Sequence, residues 1–292
     1  MRLFPVCFVV VTVVTVFGGA CAADDTPTTT AVSMLTYNVA GLPQGLNDDQ
    51  FPEQNIPQVS PKLNAYELVV VQEDFSYTDE LRAELTLPFQ SYELVHSERF
   101  VNDGLNVFST LRFDLELERV RWVACHGGTD NGSDCLANKG FAVSVHDLPN
   151  DDDDANDEDA PLALPVLNLH AEAGGSAEDI AARTAGFEQL IAFINDRFAD
   201  RALVVAGDTN LDHDDVEDEA LLQRFLDETG LIDACRSLAC GDEHIDRVFT
   251  KSGGDLDVRA ASWDVADEFV DADGNDLSDH KAIHVDLEIT TR

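Results

Sequence analysis

The sequence predicts one α/β domain, on three observations. Short apolar runs rich in Val, Leu and Phe recur along the chain and read as strands. Two longer segments between them carry apolar residues at helical spacing. No linker-like stretch follows Thr30, so nothing divides what remains of the 292 residues, a length able to bury a substantial core.

In chain order, Arg2 precedes the apolar stretch Val6–Gly19, too short for a membrane span and followed by the small residues Gly18-Gly19-Ala20-Cys21-Ala22-Ala23. Residues 1–23 are expected to be an export signal, 24–31 a polar tether, and 32–292 the folded domain. Two cleavage readings stand. Ala20-Cys21-Ala22 has the small-x-small pattern of a soluble secreted protein, and Gly19-Ala20-Cys21 resembles a bacterial lipoprotein box that would lipidate Cys21. Strands are predicted at Val32–Val39, Leu68–Gln72, Leu105–Ser109, Gly140–Val145, Leu164–Leu169, Ala202–Ala206, Ile245–Thr250 and Ala282–Ile289. The clearest helix is Ala177–Phe198. It opens on a capping-box-like Ser176 and Asp179 and repeats Ile180, Phe187, Leu190, Ile191, Ile194 and Phe198 on one face. A second helix fits Val216–Glu228.

Beyond the leader, Cys125, Cys135, Cys235 and Cys240 form an even set in a chain read as exported. Disulfides are therefore expected, with the local pairs Cys125–Cys135 and Cys235–Cys240 favoured over metal thiolates. With 57 acidic against 18 basic residues the net charge is −39, which argues against a basic nucleic-acid-binding face. An enzyme handling phosphates on such a surface needs metal ions to bring the anion in. The run Asp151–Asp159 reads as a solvated loop and Asp271–Asp276 as a turn.

Polar groups sit where the apolar runs end. Asn38 stands in "LTYNVAGLP", Glu73 in "LVVVQEDF" and His170 in "LNLHAEAGG". Asp208 and Asn210 stand in "VVAGDTN", Asp246 in "HIDRVF", and Asp279 and His280 in "LSDHKAI". Strand ends are where layered α/β folds collect ligands. Glu73 is the most telling, because a carboxylate directly after Val69-Val70-Val71 must find water, a cation or a hydrogen-bond partner. Asp208 and Asn210, two apart at a strand end, are expected to face the same side. The other histidines, 96, 126, 146, 213, 244 and 284, read as structural, with His244 the nearest to the set.

These six segments, in this order from Leu35 to Ile283, resemble the endonuclease/exonuclease/phosphatase superfamily with its DNase I-like fold. "DGLNVFS" and "NKGFAV" look like two further segments of that family. The resemblance implies a four-layer α/β sandwich, two mixed β-sheets face to face with helices outside, and metal-dependent hydrolysis of a phosphate ester. By matching position, it implies that Glu73, Asn38 and Asp279 hold Mg2+, with Ca2+ or Mn2+ as substitutes. It further implies that Asp208 and Asn210 handle phosphate and attacking water, that Asp246 orients the general base His280, and that His170 contacts the phosphate and protonates the leaving oxygen. "LTYNVAGLP" and "NLHAEAG" are most similar to the secreted sphingomyelinase branch, which implies a phospholipase C-like enzyme on a choline phospholipid. It would be secreted or held at the cell surface, peripherally or by a lipid anchor, as a monomer. Three alternatives stay open: a secreted DNase I-like endonuclease, an enzyme of small phosphoesters such as inositol phosphates, and an inactive binding domain on the same scaffold.

Overall fold

The computed structural model describes residues 27–46, 50–94, 100–128, 134–149, 162–241 and 243–292. The expected export signal with Cys21, the first part of the tether and the acidic run 151–159 lie outside the described residues. The chain runs β1 (Thr29–Asn38), α1 (Pro52–Val59), β2 (Leu68–Gln72), α2 (Thr78–Arg82), β3 (Phe89–Gln90), β4 (Asn106–Ser109), β5 (Glu118–Arg121) and β6 (Gly140–Asp147). It continues through β7 (Ala163–His170), α3 (Ala177–Arg197), β8 (Leu203–Asp208), α4 (Val216–Thr229), β9 (Ile232–Asp233), α5 (Ala234–Leu238), β10 (Asp246–Lys251), β11 (Leu256–Ala260), β12 (Asp264–Val265) and β13 (Ile283–Thr291).

Two sheets result, one ordered β11-β13-β1-β2-β4-β3 with β12 also on β13, the other β5-β6-β7-β8-β10-β9. Each is mixed. The pairs β1–β2 and β7–β8 are parallel, while β13, β4, β6 and β10 join them antiparallel. The period-two alternation of strands explains the layers. In β2, Leu68 and Val70 face the core between the sheets, whereas Val69 and Val71 face the layer holding α1. In β8, Val204 and Ala206 face inward, and Leu203 and Val205 pack under α3 and α4 with Phe187 and Phe225. Strands buried on both faces need near-continuous apolar runs, which is why these were legible in the sequence. Each fully buried Val or Leu contributes about 1.5–3 kcal/mol. The outcome is the expected four-layer sandwich.

Both helices start where expected. The Ser176 hydroxyl accepts from Asp179 N–H and the Asp179 carboxylate accepts from Ser176 N–H, a complete capping box. Asp215 caps α4 and left-handed Gly230 ends it. Cys125–Cys135 and Cys235–Cys240 are paired, with Cα atoms 5.3 and 4.9 Å apart. The first strand starts earlier than expected: β1 begins at Thr29, inside the expected tether, because Thr29–Ala31 pair with Glu288–Thr290 of β13. Among the described residues, no helix is long and apolar enough to cross a membrane.

Candidate active site

The carboxyl ends of the two parallel strand pairs meet at one edge of the sandwich. Register sets Asn38 opposite Gln72 in the first sheet and His170 opposite Asp208 in the second, with Asp246 on the other side of Asp208. Residues distant in sequence thereby come into contact. The Asn38 amide donates to Asp208 Oδ2 at 3.0 Å and to Glu73 Oε1 at 3.2 Å, and lies 3.3 Å from His280 Nε2. His170 Nε2 stands 3.4 Å from Asp208 Oδ2 and 3.6 Å from Glu73 Oε1. His280 Nδ1 bonds Asp246 Oδ2 at 2.8 Å, which leaves Nε2 facing Asp208 at 3.8 Å.

The backbone around Glu73 is strained. Its φ is +58°, in the left-handed region that costs a non-glycine residue about 1–3 kcal/mol. Neighbouring chain holds it there: its carbonyl accepts from Gly41 and Phe75 N–H, and the next amide, Asp74 N–H, donates to the Gly104 carbonyl. A Cβ on Gly104, itself at φ +68°, would come within 2.9 Å of the Glu73 backbone. The strain turns the carboxylate out of the all-buried β2 toward a cavity of about 100 Å3 that it lines with Asp279, Leu42 and Pro43. At the end of β8, Gly207 has φ +140°, and a Cβ there would clash with the Leu169 carbonyl at 2.0 Å. That glycine lets the ends of β7 and β8 approach closely enough for His170 to reach Asp208.

The electrostatics are those of carboxylates short of cations. Burial pushes Glu73 up, against the pull of Lys139 and Asn38. Burial and the Asp246 charge push Asp208 up to about 6. For His280, burial opposes the charged form, but Asp246, Asp208 and Glu73 outweigh it and raise the imidazole to about 10. His170 moves the other way, well below its ordinary value, through burial and the positive charges of Lys139 and His280, so its ring is neutral.

Six of the eight residues singled out in the sequence, Asn38, Glu73, His170, Asp208, Asp246 and His280, form this contact network. Asp279 is exposed and shares the cavity with Glu73. Asn210 departs from expectation. The strand ends at Asp208, and Asn210 has φ +48° in the following turn, so the two do not alternate as strand neighbours. Its N–H donates to Asp208 Oδ1 and its side-chain amide to the Ala171 carbonyl, an Asx-type turn overriding the strand period. His244 stacks on Trp263, with ring centroids 5.9 Å apart. Three supporting groups carry no role in the sequence reading. Gln72 and Asn168 form a buried amide bridge between the sheets at 2.7 Å, and Lys139 pairs with Asp134. Gln72 and Asn168 were visible as partners of Glu73 and His170 in their segments, but the pairing depends on sheet packing.

The donor set fits a hard divalent cation. Glu73 and Asp279 offer carboxylate oxygens to the cavity, and two carboxylates converge on a single Asn38 amide as their shared donor. Asp208, Asp246 and His280 also cluster within 4.8 Å. Nδ1 of His280 is already engaged by Asp246, so that trio suits an oriented base better than a ligand shell.

No family model matches the chain. It is 32% identical over 295 residues to sphingomyelinases of Mycobacterium tuberculosis and Mycobacterium bovis, a span of 92% of this chain and 55% of the relatives. The chain therefore spans about half the length of the curated relatives it matches. Among solved structures, sphingomyelinase C from Streptomyces griseocarneus superposes with a TM-score of 0.63 at 22% identity, covering 88% of this chain and 99% of that one. A mutant beta toxin from Staphylococcus aureus with bound magnesium ions gives 0.62 at 16% identity, covering 88% and 99%. An endonuclease/exonuclease/phosphatase from Beutenbergia cavernae gives 0.57 at 17%, covering 88% and 71%. At these identities the structural likenesses speak for the fold, and the mycobacterial relatives add homology in sequence. In sequence the chain is a homologue of the mycobacterial sphingomyelinases over about half their length, and its fold is the DNase I-like fold of the sphingomyelinase C and endonuclease/exonuclease/phosphatase structures.

Proposed function

We propose that this chain is an exported, divalent-metal-dependent phosphodiesterase that cleaves a choline phospholipid in the manner of a phospholipase C. One observation carries the reading. A strained glutamate, a buried aspartate and two histidines of opposite protonation tendency converge on one edge beside a cavity. Glu73 and Asp279, with Asn38 turned to present its amide oxygen, would hold the cation, and Mg2+ suits such oxygens. When bound, the cation supplies Lewis acidity to the phosphate and offsets the negative charge around His280.

The chain's own groups then divide the work. Asp246 holds His280 in one tautomer, with Nε2 aimed into the site to take a proton from the attacking water. Neutral His170 offers an Nε2–H to a phosphate oxygen or to the leaving oxygen. Asp208 and Asn210 orient water and phosphate, with the Asn210 N–H tying the turn to Asp208. The two disulfides fit an oxidising, extracellular setting, and the net charge of −39 disfavours a polyanionic substrate.

The test is a panel of sphingomyelin, phosphatidylcholine, plasmid DNA and a chromogenic diester, each with Mg2+, Mn2+, Ca2+ or EDTA. Phosphocholine release that EDTA abolishes and Mg2+ restores is expected. DNA cleavage without phosphocholine release would give the place to the nuclease reading.

A further inference from the structure

A second cavity, of about 280 Å3, adjoins the site where the chain passes His280 on its way into β13. Asp279 lines the cavity it shares with Glu73, and the next two residues, His280 and Lys281, line this one. Its other walls come from the segment that runs from β12 to the final strand. Phe269 is 3% exposed, and its ring packs on Tyr37 with centroids 4.8 Å apart, which fixes an aromatic floor. Val270 adds a half-buried apolar side chain, and Asp267 and Asp276 add exposed carboxylates.

The outer wall is built to keep its shape. Val270 bridges to Asp276, and Leu277 N–H donates to the Phe269 carbonyl at 3.0 Å. Between them the Asp271 carboxylate closes the turn, accepting from Asp273 N–H at 2.9 Å and Asn275 N–H at 2.8 Å. The acidic motif Asp271–Asp276 thereby holds Asp276 at the cleft. Asp276 pairs with Lys281 at 2.7 Å, but the side chains are 49% and 44% exposed, so water screens the pair. Asp267 pairs with no base among the described residues. Carboxylates above an aromatic floor suit a weakly hydrated cation, and a quaternary ammonium is the clearest case.

In-line displacement limits what enters. With His280 activating the water and His170 beside the leaving oxygen, the leaving group departs on the side away from His280. The cleft beside His280 is therefore open to the ester arm that stays on phosphorus. It is smaller than the roughly 300–1,000 Å3 pockets that enclose drug-sized ligands, so it admits a small arm and no acyl chains.

We propose that this cleft is the subsite for the retained arm of the phosphodiester, and that Asp267 and Asp276, above Phe269, select a quaternary ammonium there. The inference rests on the phosphodiesterase reading above. The test gives the full chain, with Mg2+, two soluble esters of one leaving group: p-nitrophenyl phosphorylcholine and its uncharged carbon isostere, the dimethylbutyl ester. Wild type is expected to favour the choline ester about tenfold in kcat/KM. Asp267→Asn/Asp276→Asn is expected to cut that preference to about twofold or less, through KM for the choline ester, with both constants for the isostere unchanged. Lys281→Met removes the competing cation and should raise the preference about two- to threefold. Equal rates on the two esters in wild type overturn the proposal. So does a preference that survives in the folded double variant or falls in Lys281→Met. Titration with choline chloride should shift the amide resonances of Val270 and Lys281 in wild type and not in the double variant. If wild type hydrolyses neither ester, the phosphodiesterase reading falls by itself, and the choline shifts still decide whether the cleft takes a quaternary ammonium.

Discussion

Asp246 and Arg247 are neighbours in β10 and belong to two charged clusters of opposite character. Arg247 faces Asp233 at 2.9 Å and Glu243 at 3.0 Å, and Arg236 bridges Glu243 and Glu219 at 2.8 and 2.6 Å. Hydrogen bonds from Arg236 hold Glu219 below the usual carboxylate range, and bonds from Arg236 and Arg247 hold Glu243 low despite its burial. One residue away, Asp246 joins Asp208, Glu73 and His280, where burial raises Glu73 and Asp208 with no arginine to offset it. Both clusters are dense in charge. Of the two, the second has its carboxylates pushed up rather than held down, and perturbed groups gathered beside a cavity mark a candidate functional site.

The strongest way to break that comparison is to remove a member of the second cluster. Glu73→Ala and His280→Ala are each expected to lower kcat/KM on the cleaved diester by about a thousandfold or more, as losses of a metal ligand or general base do. The melting temperature of Glu73→Ala should stay level or rise, since one of the crowded carboxylates is removed. That of His280→Ala should fall, since His280 is the cation that offsets Asp246 and Asp208. Unchanged hydrolysis in either variant would dismantle the role assignment. Arg247→Met inverts the pattern. Breaking a buried pair strands Asp233, and about 3 kcal/mol of stability should be lost in urea titrations with kcat retained.

A third buried group sharpens the contrast through pH. His146 is fully buried beside Ser144 and the Phe113 ring, with burial pushing it down from 6.5 to about 3. The unfolded chain therefore binds a proton that the folded chain refuses between those values. Stability that is complete above pH 6.5 is lost as pH falls toward 3. Urea midpoints at pH 7 and pH 4.5 should show wild type losing more stability than His146→Leu, and equal slopes would reject the assignment. The smallest effect belongs to the surface. Arg197 and Glu118 pair at 2.9 Å with side chains 46% and 47% exposed, so Glu118→Gln should shift stability by less than about 0.5 kcal/mol in the same titrations.

Much of the fold was legible because its central strands are buried on both faces. Val69-Val70-Val71 and Leu203–Ala206 read as strands whichever way they turn. The edges were not. The strands β3, β9 and β12 are two residues long, below any periodicity, and β11 (Leu256–Ala260) alternates buried and exposed positions among charges that masked it. In the site, Asn38, Glu73, His170, Asp208, Asp246 and His280 could be named because their segments stand in the order of the endonuclease/exonuclease/phosphatase superfamily; taken singly, polar residues at strand ends also serve turns and caps. Lys139 could not, since a single lysine in a loop looks solvated until its counter-ion and ceiling are known.

By itself, the sequence determined which chemical groups stand at the strand ends, the layered burial that brings strand ends together, the capped helices and the local disulfides. These follow from periodicity and from contacts between near neighbours. Tertiary structure alone decided the left-handed turn that aims Glu73, the Asx turn that takes Asn210 out of strand register, the opposed protonation of His170 and His280, and the burial of Lys139. Each of these depends on register and packing between segments up to hundreds of residues apart, and on the field those segments jointly impose.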